Sequence, residues 1–173
     1  MTTTLKNDYE LFFKKNPHTK VVLLPNMLTV MPHEKSNLNN KNIITVSRLD
    51  YGKRNNEIIE AFSKLEDKEC KLFIIGDGAE YNNLDNLIKD LELEDRVFLL
   101  GYKNQDEIKK YMLESCLFLM ASVTEGLPMV LLEAMSYGVP CIAYKTESGV
   151  LDIIDDGING FVIDNRDSSK YIE

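Results

Sequence analysis

Residues 116–144 read CLFLMASVTEGLPMVLLEAMSYGVPCIAY. An unbroken apolar run, CLFLMA (116–121), gives way to a polar loop, SVTEGLP (122–128). A helical pattern occupies 129–137, and a second short run, PCIAY (140–144), follows Gly138 and Val139. Short apolar runs that do not alternate with polar residues are strands covered on both faces, as in a parallel sheet. Gly138 ends the helix because glycine adopts the left-handed conformation a helix terminus needs, and Pro140 cannot continue it. The stretch is therefore a strand, a helix and a second strand laid parallel to the first.

The same alternation extends in both directions. NIITVS (42–47), KLFIIG (71–76) and RVFLLG (96–101) lie upstream and GFVID (160–164) downstream. Helical patterns fall at 57–65, 80–91 and 106–113, with a short one at 150–154. Strands alternating with helices predict an α/β fold, a Rossmann-like doubly wound parallel sheet of about six strands. Asn55 or Asn56 is the expected cap of the first of these helices and Asn104 of the third, each ahead of acidic residues in the opening turn. Residues 41–173 form this domain. Residues 1–40 read as a linker or hinge, with an amphipathic helix at 5–15, a strand at VVLLP (21–25) and a Pro-, Asn- and Ser-rich loop at 26–40. The chain stops at SSKYIE, where a further helix is expected to begin, so the domain reads as C-terminally truncated.

A length of 173 residues suits one domain with a sizeable core. The net charge of -8, with no block dense in Lys and Arg, argues against nucleic acid and anionic membrane surfaces as partners. No apolar run approaches the roughly 20 residues of a membrane span. The N-terminus, MTTTLKNDYELFF, lacks the layout of a signal peptide, which points to a cytoplasmic protein. Cys70, Cys116 and Cys141 have no paired spacing and read as reduced core thiols. His18 and His33 share no zinc spacing with them, and no Asp-x-Asp occurs, so no metal site is expected.

Glu133 is the awkward residue. It stands among Met129, Val130, Leu131, Leu132, Ala134 and Met135 in a helix apolar all round, where a carboxylate needs a partner. Ligands of an open α/β sheet bind beyond the carboxyl ends of its strands. That edge gathers Arg48, Asp50 and Lys53 after the first strand, Gly76, Asp77 and Gly78 after the second, and Leu100 and Gly101 at the end of the third. Glu125, Gly126, Leu127 and Pro128 follow the fourth, leading into Met129 and Val130 of the next helix. Cations, glycines and the free amides of a helix start suit phosphate, and a carboxylate suits a pair of sugar hydroxyls. A buried Glu133 bonded to a loop amide, and an Arg48 and Lys53 merely solvated beside Asp50, are the structural alternatives. Gly76-Asp77-Gly78 is not a dinucleotide fingerprint, since Tyr81 stands where the last glycine belongs.

Glu125 and Glu133, eight positions apart in EGLPMVLLEAMSYGVPCIAY, resemble the E-x7-E segment of retaining glycosyltransferases of the GT-B fold, the group 1 or family 4 type. TVSRLDYGKRNNEIIEAF, KLFIIGDGAEYNNLDNLI, RVFLLGY and GVLDIIDDGINGFVI are similar to the rest of that family's C-terminal donor-binding domain, in the same order, and VVLLPNML to the hinge before it. The resemblance covers roughly residues 21–164. It implies a domain that binds a nucleotide-diphosphate sugar, often UDP-linked, without a metal or other cofactor. On that resemblance Arg48 and Lys53 neutralise the diphosphate and Glu133 holds the ribose. Leu100 and Gly101 lie where the base packs, with Gly76 at the same edge. Glu125 and residues 126–130 face the transferred sugar, so that Glu125, Arg48 and Lys53 carry the catalytic step. No enzyme nucleophile is assigned. Ser47, Arg54 and Leu127-Pro128 depart from the family's usual residues, which leaves the sugar open.

The resemblance further implies a partner, the N-terminal acceptor-binding domain of the same enzyme, and a role in cell-surface polysaccharide synthesis. The chain alone is expected to bind nucleotide and transfer nothing. The alternatives are a non-catalytic nucleotide-sugar-binding module or subunit and, less favoured, half of a sugar-nucleotide epimerase, for which the late chain supplies no His.

Overall fold

A computed structural model of the chain describes residues 2–16, 18–24, 26, 28 and 31–171. Six strands form one sheet: β1 (Asn42–Val46), β2 (Lys71–Ile75), β3 (Val97–Leu99), β4 (Leu117–Met120), β5 (Cys141–Tyr144) and β6 (Gly160–Ile163). Every pairing is parallel, and the order across the sheet is β3-β2-β1-β4-β5-β6. Five α-helices accompany them: α1 (Thr3–Phe12), α2 (Asn55–Ser63), α3 (Tyr81–Asp90), α4 (Gln105–Leu113) and α5 (Met129–Ser136). Short 3-10 turns occupy Tyr51–Lys53, Asp164–Arg166 and Ser168–Tyr171. The α/β fold and the parallel sheet expected from the sequence are both present.

The strands read as continuous apolar runs because neighbouring side chains enter two different cores. Ile43, Leu72, Ile74 and Leu119 pack with Ile58, Ile59 and Phe62 of α2 and with Leu84 and Ile88 of α3. Ile44, Ile75, Phe118 and Met120 pack on the opposite face with Met112 of α4 and Leu131 and Ala134 of α5. Burying each such Ile or Leu stabilises the fold by about 1.5–3 kcal/mol relative to exposure. All three thiols are free; Cys141 is buried and Cys70 and Cys116 partly so. Burial pushes the Cys141 thiol up to about 12.

Chain order runs one way from β1 to β3 and the other way from β4 to β6, so β1 and β4 are neighbours whose helices lie on opposite faces. Their carboxyl ends open the crevice in which ligands of such sheets bind.

Local expectations fared unevenly. Asn104 caps α4 in a reciprocal box: its side chain accepts from the Glu107 N–H at 3.0 Å, and the Glu107 carboxylate accepts from the Asn104 N–H at 3.0 Å. Gly138, at φ 78°, ends α5. Neither Asn55 nor Asn56 caps α2. The cap is Arg54 in the left-handed conformation, while Asn55 is buried and donates to Ser47 Oγ at 3.1 Å. Residues 150–154 form a turn and no helix, because the bonds from the Ile153 and Ile154 amides to Val150 O are not continued. Residues 21–24 form no strand, and Pro25 lies outside the described residues. The N-terminal helix starts earlier and ends sooner than its apolar pattern suggests.

Candidate functional site

At the β1/β4 crevice the two loops are joined by backbone. The Val123 N–H donates to Gly52 O at 2.9 Å, binding the loop after β4 to the turn after β1. The same approach brings Lys53 to Glu125, Nζ to Oε1 at 2.7 Å. Both side chains are mostly covered, 21% and 15% exposed, so this contact is screened far less than a surface pair. Arg48 behaves otherwise. Its side chain is 82% exposed and pairs with Asp50 at 3.2 Å, which is the solvated arrangement its sequence neighbourhood also allowed.

The loop bearing Glu125 is held on its other flank by the loop after β5. Ser148 Oγ donates to Glu125 O at 2.9 Å, and Thr146 Oγ1 donates to Ser148 O at 2.6 Å. Gly149 (φ 90°) lies so close that a Cβ there would come within 2.2 Å of Gly126 O. Gly76 has a similar reason to be glycine, since a Cβ would fall 1.8 Å from Ser47 O. Its amide donates to Gly101 O at 2.9 Å, joining the ends of β2 and β3, and the Ser47 N–H beyond β1 donates to Ile75 O at 3.0 Å. Gly126 itself is open to solvent, followed by half-covered Leu127 and buried Pro128. Pro128 caps α5, which leaves the Met129 and Val130 amides at the helix start.

Glu133 projects from α5 into a cleft of about 520 Å³ between α5 and α4, with Leu28, Gln105, Met129 and Tyr137 among its walls. Among the described residues no hydrogen-bond donor or cation meets its carboxylate. Burial alone raises its pKa above the ordinary carboxylate value. Lys109 of α4 lines the same cleft but is paired with Glu34 at 2.6 Å. Leu100 is half-buried at the end of β3, and Gly101 takes φ 67° with open space where a Cβ would stand. Neither lines the Glu133 cleft, and nor do Lys53 or Arg48. The structure thus joins Lys53, Glu125 and the loop 122–128 directly, and sets Glu133 in an adjoining cleft one and a half turns along α5.

Two residues of this edge carry no motif in the sequence. Arg166 donates to Ala121 O at 2.7 Å and to Ser122 O at 3.2 Å, and pairs with Glu57 of α2 at 2.8 Å. Arg54 does not turn toward the crevice. Its guanidinium lies 3.7 Å over the Tyr51 ring, and its Nε is 3.9 Å from Glu57 Oε1.

The model of the family described as glycosyl transferases group 1 matches residues 29–173. The chain belongs to that family. An uncharacterized glycosyltransferase of Haemophilus influenzae is 30% identical over 176 residues, all of this chain and 48% of the relative. The N-acetyl-alpha-D-glucosaminyl L-malate synthase of Bacillus anthracis is 35% identical over 130 residues, 75% of this chain and 33% of the relative. Among solved structures, the pneumococcal O-GlcNAc transferase GtfA in complex with UDP and GlcNAc superposes with a TM-score of 0.82 at 27% identity, over 95% of this chain and 33% of that one. Anabaena HepE in complex with UDP-glucose gives 0.71 at 28% identity, over 78% and 37%. This group 1 GT-B glycosyltransferase domain therefore spans half or less of the length of those relatives. Among its described residues no helix is long and apolar enough to cross a membrane.

Proposed function

We propose that the domain is the donor-binding half of a retaining glycosyltransferase that uses a nucleotide-diphosphate sugar, with UDP as the nucleotide. The observation that carries this reading is Glu133: a half-buried carboxylate on an apolar helix, facing a cleft of about 520 Å³ in which, among the described residues, no donor bonds it. A ribose supplies two hydroxyl donors and relieves that cost. UDP and UDP-glucose are bound by the structural neighbours GtfA and HepE, which supports the choice of nucleotide.

In this reading the base packs at Leu100 and Gly101, near Gly76, and the diphosphate reaches the crevice where Lys53 stands. Arg48, exposed at the rim, folds over it. The sugar lies against Glu125 and the loop amides from Gly126 to Val130. Once the diphosphate takes Lys53, Glu125 loses its counter-ion and accepts from the sugar's hydroxyls. Breaking the sugar–phosphate bond builds negative charge on the leaving diphosphate, and attraction to Lys53 and Arg48 strengthens as it builds. These cations serve the role a divalent metal has elsewhere, so binding needs none. The acceptor comes with a second domain of the same protein, at the cytoplasmic side of a membrane where surface glycans are assembled.

Calorimetric titration of the chain with UDP, GDP and ADP, with and without magnesium, tests this. Magnesium-independent binding of UDP, weakened by Glu133→Ala by roughly 1–3 kcal/mol, is expected. Binding that requires magnesium, or that Glu133→Ala leaves unchanged, refutes the site as described.

A further inference from the structure

The geometry points to Arg166 as a positioning residue for the donor site, acting with Glu57 to fix from behind the two loops that carry Lys53 and Glu125. This rests on the donor-site reading above. Arg166 ends the 3-10 turn after β6 and reaches across the end of β5, its guanidinium 4.4 Å over the ring of Tyr144, toward the end of β4. There it bonds Ala121 O and Ser122 O, the first two carbonyls after β4 and three to four residues before Glu125. The same group holds Glu57 Oε2 at 2.8 Å, and the other Glu57 oxygen faces Arg54, the residue after Lys53, at 3.9 Å.

The contacts close a ring. It runs from Lys53 through Arg54, Glu57 and Arg166 to Ala121 and Ser122, along the loop to Glu125, and across the ion pair back to Lys53. Both arginines adopt left-handed backbone, φ 52° at each, which is uncommon for a non-glycine residue. On the Arg166 side a hydrogen bond to Glu57 at 2.8 Å holds this geometry; on the Arg54 side Glu57 is an ion-pair neighbour at 3.9 Å, and the guanidinium rests on the Tyr51 ring. The Arg166 side chain is 31% exposed and that of Glu57 23%, so water competes weakly for these bonds. Arg suits the task because its planar fork serves two carbonyls and a carboxylate at once, which a lysine ammonium on a flexible stem does not. Beneath it Tyr144 is fully buried, its hydroxyl without a hydrogen bond among the described residues, and its ring serves Arg166 as a flat support. Once the clamp fixes the Ala121 and Ser122 carbonyls, loop 122–128 reaches Lys53 in one arrangement.

The test compares Arg166→Met, Arg166→Lys and Glu57→Gln with the unaltered chain, using UDP and uridine as probes and amide hydrogen exchange as a second readout. Arg166→Met is expected to lower UDP affinity five- to tenfold and uridine affinity less than twofold. Exchange of the amides at 122–127 should quicken at least tenfold while those of β1 and β2 keep their protection. Arg166→Lys and Glu57→Gln should fall between, and they carry the test if Arg166→Met does not fold. Equal losses for UDP and uridine, or loop exchange that rises only in step with the core strands, overturn the clamp. If the unaltered chain binds no UDP, the donor-site reading fails, and the exchange comparison alone then decides whether the clamp orders the loop.

Discussion

Replacing Glu125 by glutamine is expected to tighten UDP binding. Lys53 is held by Glu125 at 2.7 Å, with 21% and 15% of the two side chains exposed. A diphosphate must displace that carboxylate from Lys53 and then tolerate its charge nearby. Exposed ion pairs are worth about 0–1 kcal/mol, and hydrogen bonds to charged groups about 1.5–3 kcal/mol. A pair this covered but not fully buried falls near the junction of the ranges, about 1 kcal/mol. The glutamine amide keeps the shape and removes the charge, so the affinity gain should be roughly fivefold, given that about 1.4 kcal/mol is tenfold. Titration of Glu125→Gln, Lys53→Ala and the double variant with UDP forms a cycle: the gain should vanish when Lys53 is absent. The extra affinity of UDP-glucose over UDP should also shrink in Glu125→Gln, because the sugar loses its acceptor. An unchanged or weaker UDP affinity in Glu125→Gln refutes the idea that Glu125 competes for Lys53.

Other substitutions separate stability from binding. Glu133→Gln should raise the melting temperature at neutral pH and weaken UDP. The raised folded-state pKa means that the native carboxyl resists ionising, so stability is lost as pH rises through the window from the ordinary value of 4.5 to the raised one. A melting temperature that does not rise, followed across that window, contradicts this. Asn104→Ala removes the capping box of α4 and should cost about 1 kcal/mol, read by chemical denaturation. Leu131→Ala, at a fully buried position facing β4 and β5, should cost about 2–5 kcal/mol and is a control for core loss without site loss. Lys53→Ala should weaken UDP more than uridine and flatten the dependence of UDP affinity on salt; equal losses for both ligands would count against its role.

What the sequence made legible follows from how locally each feature is determined. The six strands could be read because both faces are covered and no polar alternation dilutes the runs. Asn104 could be read because its box lies within four residues. The cap of α2 could not, because the left-handed Arg54 takes that position and turns Asn55 inward to Ser47. The apolar residues at 150–154 read as a helix because Val150 and Ile154 do reach the core, but they reach it through a single turn. VVLL at 21–24 has strand-like composition without a neighbouring strand to pair with. At the candidate site Lys53 and Glu125 could be singled out one by one, whereas their contact across 72 residues comes from β1 lying beside β4. Arg166 and Glu57 left no trace, because two of Arg166's partners are backbone carbonyls, which any sequence supplies.

Nucleotide diphosphate bound at the carboxyl edge of β1 and β4 would perturb the backbone there, which amide shifts of the labelled chain report on titration with UDP. Shifts are expected to concentrate at Gly52, Lys53, 76–78, 100–101 and 122–133. Shifts concentrated instead at the opposite edge, around Leu38, Val139 and 157–161, where a second groove of about 440 Å³ lies, would contradict that placement.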